Sequence, residues 1–134
     1  MKKHEAKFAT LFRHWIKRNP WFCSAFELKH TRGNNYFPFD EVQDHQLAAL
    51  KASTTKEGFL YKISDDSLGA KPFDMFFLAN ARAYVVIRFP EFFCFIDVFV
   101  FEKEKKTNKR KSVGEHRAIE IAEKVIHIPV ASRK

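Results

Sequence analysis

The chain has 134 residues, a one-domain length, and 46 % of them are hydrophobic, sixteen being phenylalanine. That is enough apolar side chain to build a core without a metal or disulfide staple. Four glycines and five prolines exclude collagen-like and low-complexity classes, and 30 % charged residues argue against an integral membrane protein. Lys and Arg number 24 against 16 Asp and Glu, a formal charge of +8. Such a field suits a polyanion, nucleic acid before a membrane surface.

Residues 3–18 read as a helix, with Phe8, Leu11, Phe12, Trp15 and Ile16 on one apolar stripe and Asn19-Pro20 as its stop. Residues 21–29 read as a strand. Alternation puts Phe22, Ser24, Phe26 and Leu28 on one face and Cys23, Ala25, Glu27 and Lys29 on the other. After a turn at Gly33-Asn34-Asn35, a helix is expected over 40–53, with Asp40 as N-cap and Gln46 as a polar residue in the stripe of Val42, Ala49 and Leu50. Residues 58–64 read as a strand and 64–69 as a loop. Phe73–Leu78 and Arg82–Phe89 read as a hairpin turning at Ala79-Asn80-Ala81. Phe92–Phe101 reads as one strand buried on both faces, core rather than dimer seam. Residues 102–111 follow as a basic mobile loop or strand end, and 115–127 as a last helix with Ile119, Ala122, Val125 and Ile126 inward. The expected order is α-β-α-β-β-β-β-α, a single-domain α/β fold with one mixed sheet flanked by helices.

Both cysteines, Cys23 and Cys94, sit in apolar runs and read as small buried hydrophobes. The start Met1-Lys2-Lys3-His4-Glu5 leads into an amphipathic pattern rather than a secretory apolar region, and the longest apolar run falls short of the ~20 residues of a membrane span. A cytoplasmic, intracellular protein with no membrane partner is expected.

The segment with most chemistry is Phe26-Glu27-Leu28-Lys29. Glu-x-Lys in a strand sets a carboxylate and an ammonium on one face, about 6–7 Å apart along the chain. One or two carboxylates suffice for magnesium when substrate phosphate completes its shell. A lysine beside them can orient the attacking water, so the set suits metal-assisted phosphodiester hydrolysis. The same spacing also makes plain surface ion pairs. Asp74, between Phe73 and Met75 at a strand start, is a second candidate ligand, or a turn cap. Glu5, at the inner edge of the first helix, is a third, or a solvated first-turn residue stabilised by the helix dipole. His30 could touch phosphate but reads as a surface histidine. Asp65-Asp66 reads as a solvated loop pair. Arg32, Lys71, Lys105, Lys106, Lys109 and Arg110 are the candidates for contacts to the phosphate backbone of DNA.

An acid after proline at a strand start, together with Glu-x-Lys, resembles the PD-(D/E)XK nuclease superfamily. Phe26-Glu27-Leu28-Lys29, then Phe37-Pro38-Phe39, then His45-Gln46 and Leu50, resembles the RecU and archaeal types of Holliday-junction resolvase, over roughly residues 3–90. The resemblance implies a restriction-endonuclease-like fold and a magnesium-dependent endonuclease, with manganese able to substitute, acting as a homodimer on branched or duplex DNA. It implies Glu27, Asp74 and Glu5 as metal ligands, Lys29 as the catalytic lysine and Gln46 as the glutamine packed behind the site. In the family the proline-aspartate strand precedes Glu-x-Lys, whereas here Asp74 follows Lys29, and the strand after Asp74 reads Val86-Ile87-Arg88. A permuted strand order is therefore required to join Asp74 to Glu27. Two other readings stand beside the resolvase: a non-catalytic basic module that binds nucleic acid, and a nuclease of the same chemistry on another DNA substrate.

Overall fold

The computed structural model describes residues 3–18, 23–65 and 69–129, with side chains of the first helix described from residue 6 onward. In chain order the elements are α1 (Lys3–Arg18), β1 (Ser24–His30), β2 (Tyr36–Pro38), a 3-10 turn (Phe39–Glu41), α2 (Asp44–Ser53), β3 (Phe59–Lys62), β4 (Met75–Leu78), β5 (Arg82–Arg88), β6 (Phe92–Asp97), α3 (Val98–Thr107), β7 (Ser112–Gly114), α4 (Glu115–Ile121) and β8 (Lys124–His127).

The main sheet is mixed, in the order β1-β5-β6-β8. β1 runs parallel to β5, and β5, β6 and β8 follow as antiparallel neighbours. Ala83–Ile87 of β5 and Phe92–Ile96 of β6 are buried without alternation, because both faces of these central strands are covered. On one face α1 sets Phe8 and Phe12 against Phe26, Phe93 and Phe95. On the other, residues of α2 and α3 join Val85, Ile87, Cys94 and Ile96 in a second cluster. Each fully buried Phe or Ile contributes on the order of 2 kcal/mol, so the two layers tie both edges of the sheet to the helices. The mixed α/β architecture expected from the sequence is the one observed.

Several elements differ from expectation. Phe92–Phe101 is not one strand: Asp97 ends β6 and caps α3 by accepting from the backbone N–H of Phe99 (2.9 Å) and Val100 (3.4 Å). Lys103–Thr107 therefore lie in a helix rather than a loop. The helix expected over 40–53 begins at Asp44, behind a 3-10 turn, so Asp40 is not its N-cap; that position belongs to Gln43. The last helix stops at Ile121, and residues 124–127 form a fourth strand of the main sheet. β4 does not pair with β5. It pairs with β3 as a separate two-stranded ribbon, while β5 pairs with β1 and β6. Backbone bonds from Asn80 N–H to the Thr55 carbonyl (2.9 Å) and from Ala81 N–H to the Ser53 carbonyl (2.9 Å) fasten the base of this ribbon to the end of α2. Cys23 is exposed, at φ 49°, whereas Cys94 is buried as expected. The helix stop at Asn19-Pro20, the residues Trp21 and Phe22, and Asp66 lie outside the described residues.

Candidate functional site

β1 forms the edge of the main sheet, with α1 packed on one face and α2 on the other. Its outer border opens into a cleft of about 290 Å³ lined by Phe8, Ala9, Glu27, Leu28, Lys29, His30 and Gln46. Strand alternation decides which residues face which helix. Phe26 and Leu28 pack with the α1 layer, so Glu27 and Lys29 face α2. Their side chains stand 3.4 Å apart, Lys29 Nζ to Glu27 Oε2, with side-chain exposures of 17 % and 27 %.

Gln46 reaches Glu27 from the first turn of α2, and its orientation is set by the helix end. Its Oε1 accepts from the backbone N–H of Gln43 (3.0 Å), one of the N-terminal donors a helix leaves without an internal partner. That fixes which end of the amide is oxygen, so Nε2 must face the strand, where it donates to Glu27 Oε2 (3.0 Å). The helix cap thus positions the donor that holds the carboxylate. One oxygen of Glu27 carries both Gln46 and Lys29, while Oε1 has no partner among the described residues.

Magnesium keeps several waters and asks for hard oxygen, and an open carboxylate oxygen beside an ammonium fits that demand as a single protein ligand. Among the described residues no group of three or more His, Cys, Asp and Glu side chains forms a metal site. Comparison with known proteins adds no assignment. No family model, curated protein or solved structure matches the chain.

The other expected site residues scatter. Asp74 lines no part of the cleft. It precedes β4, at the end of the ribbon away from its attachment to α2, with its side chain 77 % exposed and 3.1 Å from Lys71 Nζ. The permuted strand order needed to join it to Glu27 does not occur, because β4 pairs with β3 outside the main sheet. Glu5 lies on α1 one turn before Phe8 and Ala9; its side chain lies outside the described residues. Among the basic candidates, Lys71 is bonded to Asp65 as well as Asp74, Lys105 pairs with Asp40 (3.6 Å) and Lys106 with Glu102 (3.8 Å). Arg32, Lys109 and Arg110 are exposed and make no ion pair among the described residues.

His30, expected at the surface, is half-buried and lines the cleft. It stands directly opposite Arg88 in the β1–β5 register, with Nε2 3.1 Å from Arg88 Nη1. Arg88 is an inward arginine at a strand end whose guanidinium pKa is lowered by burial. The sequence carried no signal for this pair, since the parallel register that joins positions 30 and 88 arises only from the fold.

Proposed function

We propose that the chain is a metal-dependent DNA endonuclease that hydrolyses phosphodiester bonds, with a four-way junction as its preferred substrate and a homodimer as its active form. One observation carries the reading: Glu27 and Lys29 side by side in a cleft on an edge strand, with Gln46 holding one carboxylate oxygen and the other oxygen open. Glu27 would hold a magnesium or manganese ion, which supplies Lewis-acid polarisation of the phosphate and a more acidic water. Lys29 orients that water and offsets charge growing on the phosphoryl oxygens, in a cleft where limited hydration strengthens both effects. Gln46 keeps Glu27 from swinging onto Lys29 with both oxygens. Asp74 has no part in this site.

The test compares wild type with Lys29→Ala, Glu27→Gln and Asp74→Asn, each given branched and linear DNA with magnesium. Lys29→Ala and Glu27→Gln should lower cleavage by roughly 100-fold or more with DNA binding little changed, and Asp74→Asn should cleave as wild type does. A wild-type chain that binds DNA but cuts neither substrate with magnesium or manganese ends the enzymatic reading. The rival, a non-catalytic basic nucleic-acid-binding module, is favoured by one observation: Glu27 is the only carboxylate among the described residues that line the cleft.

A further inference from the structure

We propose that the β3–β4 ribbon is the seam of the homodimer, taking the same ribbon of a second copy of this chain across a twofold axis. The register pairs Leu60 with Phe77 and Lys62 with Met75, so these four side chains share one face of the ribbon. Leu60 is 62 % exposed, Phe77 57 % and Met75 49 %, and Phe73, two residues before Met75, is 54 % exposed. Lys62 can lay its stem along that face and keep its ammonium at the rim. The other face is partly filled by its own rings, Tyr61 against Phe76 with centres 5.5 Å apart and against Phe59 at 6.2 Å. A two-stranded ribbon with an uncovered apolar face is marginal in water, and this one joins no further strand among the described residues. The face is also preset. The Phe77 ring lies against Gly58, at φ 76°, where a Cβ has no room, so this exposed ring is ordered before any partner arrives.

Two observations select a second copy as the occupant. The first is area. Half-exposed side chains of this size leave roughly 400 Å² of apolar surface on the face of Leu60, Phe73, Met75 and Phe77, more than a lone patch needs to mark a contact. Face to face, two copies bury about 800 Å² of it, and with apolar atoms at about 65 % of a homodimer interface the whole contact reaches about 1,200 Å², the lower bound for a stable one. The second is charge. Residues 56–78 hold three lysines and four acids, net −1, in a chain of +8, so all other residues together carry +9. Lys71 is moreover held by Asp65 and Asp74. A copy of so basic a chain meets least repulsion at the ribbon, where a polyanion finds little to hold it. A twofold contact sets a patch against itself, which a nearly neutral apolar face tolerates and a basic one does not. The seam deepens the homodimer part of the proposed function and rests on that reading for the dimer being the active form; the contact itself needs neither DNA nor metal.

Sedimentation equilibrium of the full chain, free of DNA and metal, tests the seam. The mass should rise from one copy to two across the micromolar range, and added salt should favour the dimer by screening the repulsion between the two basic bodies. Leu60→Lys and Met75→Lys change exposed positions, so both should keep the wild-type circular dichroism. Each should raise the dimer dissociation constant by about 30-fold or more, since a twofold seam carries every change twice. Leu60→Ala, which adds no charge, should raise it less. Ile119→Lys, at an exposed apolar position on α4 outside the ribbon, should leave it unchanged. A chain that stays monomeric through that range at every salt concentration overturns the proposal, and so does a dimer that the ribbon replacements leave intact. A monomer that binds single-stranded DNA and loses it with Leu60→Lys also overturns it, and makes the face a platform for stacked bases. A ribbon dimer that cuts no DNA under magnesium keeps the seam and removes the nuclease, and a monomer that cuts DNA does the reverse.

Discussion

Tyr84 carries a hydroxyl into an aromatic layer, with the rings of Phe26 and Phe95 centred 6.0 and 5.9 Å away and only 1 % of the residue exposed. A buried phenol needs a partner. It donates to Glu123 Oε2 at 2.7 Å, and the backbone N–H of Glu123 in turn donates to the Phe95 carbonyl at 2.8 Å. Burial, then the Glu123 carboxylate, push the phenol from 10.0 up to about 12. The raised value fixes the sign of the pH effect. Above pH 10 the unfolded chain releases this proton while the folded chain keeps it, so stability is lost as pH rises from 10 toward about 12. The loss attributable to this one group is on the order of 2 kcal/mol. Urea unfolding of wild type and Tyr84→Phe at pH 8 and pH 11 measures it. The gap between the two proteins should narrow or reverse at the higher pH, and parallel curves would show that the phenol does not sense its burial. At Cys94, burial likewise pushes the thiol up to about 12, which keeps it inert.

At the scale of elements, the stretch from Phe92 to Phe101 shows where pattern and structure part. Ten residues rich in Phe, Ile and Val carry strand propensity throughout, and periodicity cannot separate a buried strand from a buried helix in so short a run. Asp97 decides it locally: a carboxylate that caps two backbone N–H groups starts a helix, whatever the propensity of Val98 to Phe101. Asp97→Ala should cost about 1 kcal/mol and lower the melting temperature by about 4 °C, with Asp97→Asn recovering most of it. A melting curve indistinguishable from wild type would mean that packing of Val98 and Phe101 alone forms α3. By contrast, α1 and β1 were legible because their patterns are amphipathic and alternating, and with them the common face of Glu27 and Lys29. Gln46 was legible as a polar residue in an apolar stripe, but its role in the helix cap depends on where α2 starts. The pairing of β4 with β3, which leaves Asp74 outside the site, was not legible. Antiparallel hairpin and separate ribbon share the same alternation, and only long-range contacts of β5 with β1 exclude the hairpin.

At the scale of the molecule, the surplus of positive charge is not evenly available. Part of it is already engaged among the described residues. Lys71 holds Asp65 and Asp74, Lys51 holds Glu102 (2.7 Å), and Arg117 grips the buried Glu104 through two bonds of 2.9 and 3.0 Å. That last grip joins the end of α3 to α4, and it holds the Glu104 carboxyl below its usual range. A cation with a carboxylate partner must give it up to meet a phosphate, so it releases fewer DNA counterions per contact than an unpartnered one. Arg32, Lys109 and Arg110, which have no carboxylate partner among the described residues, are the better placed of the basic candidates, and Lys109 and Arg110 sit together just after α3. Each phosphate neutralised on duplex DNA contributes about −0.9 to the slope of log affinity against log salt. If the chain binds DNA as proposed, replacing Lys109 and Arg110 together by Gln should therefore flatten that slope by about 2, measured as DNA affinity across a salt series. Lys71→Gln should leave the slope near that of wild type, since the charge it removes is balanced locally by two aspartates. If Lys71→Gln flattens the slope as much as the double replacement, the ribbon carrying β3 and β4 meets DNA directly, and the contact surface must be moved from the end of α3 to that ribbon.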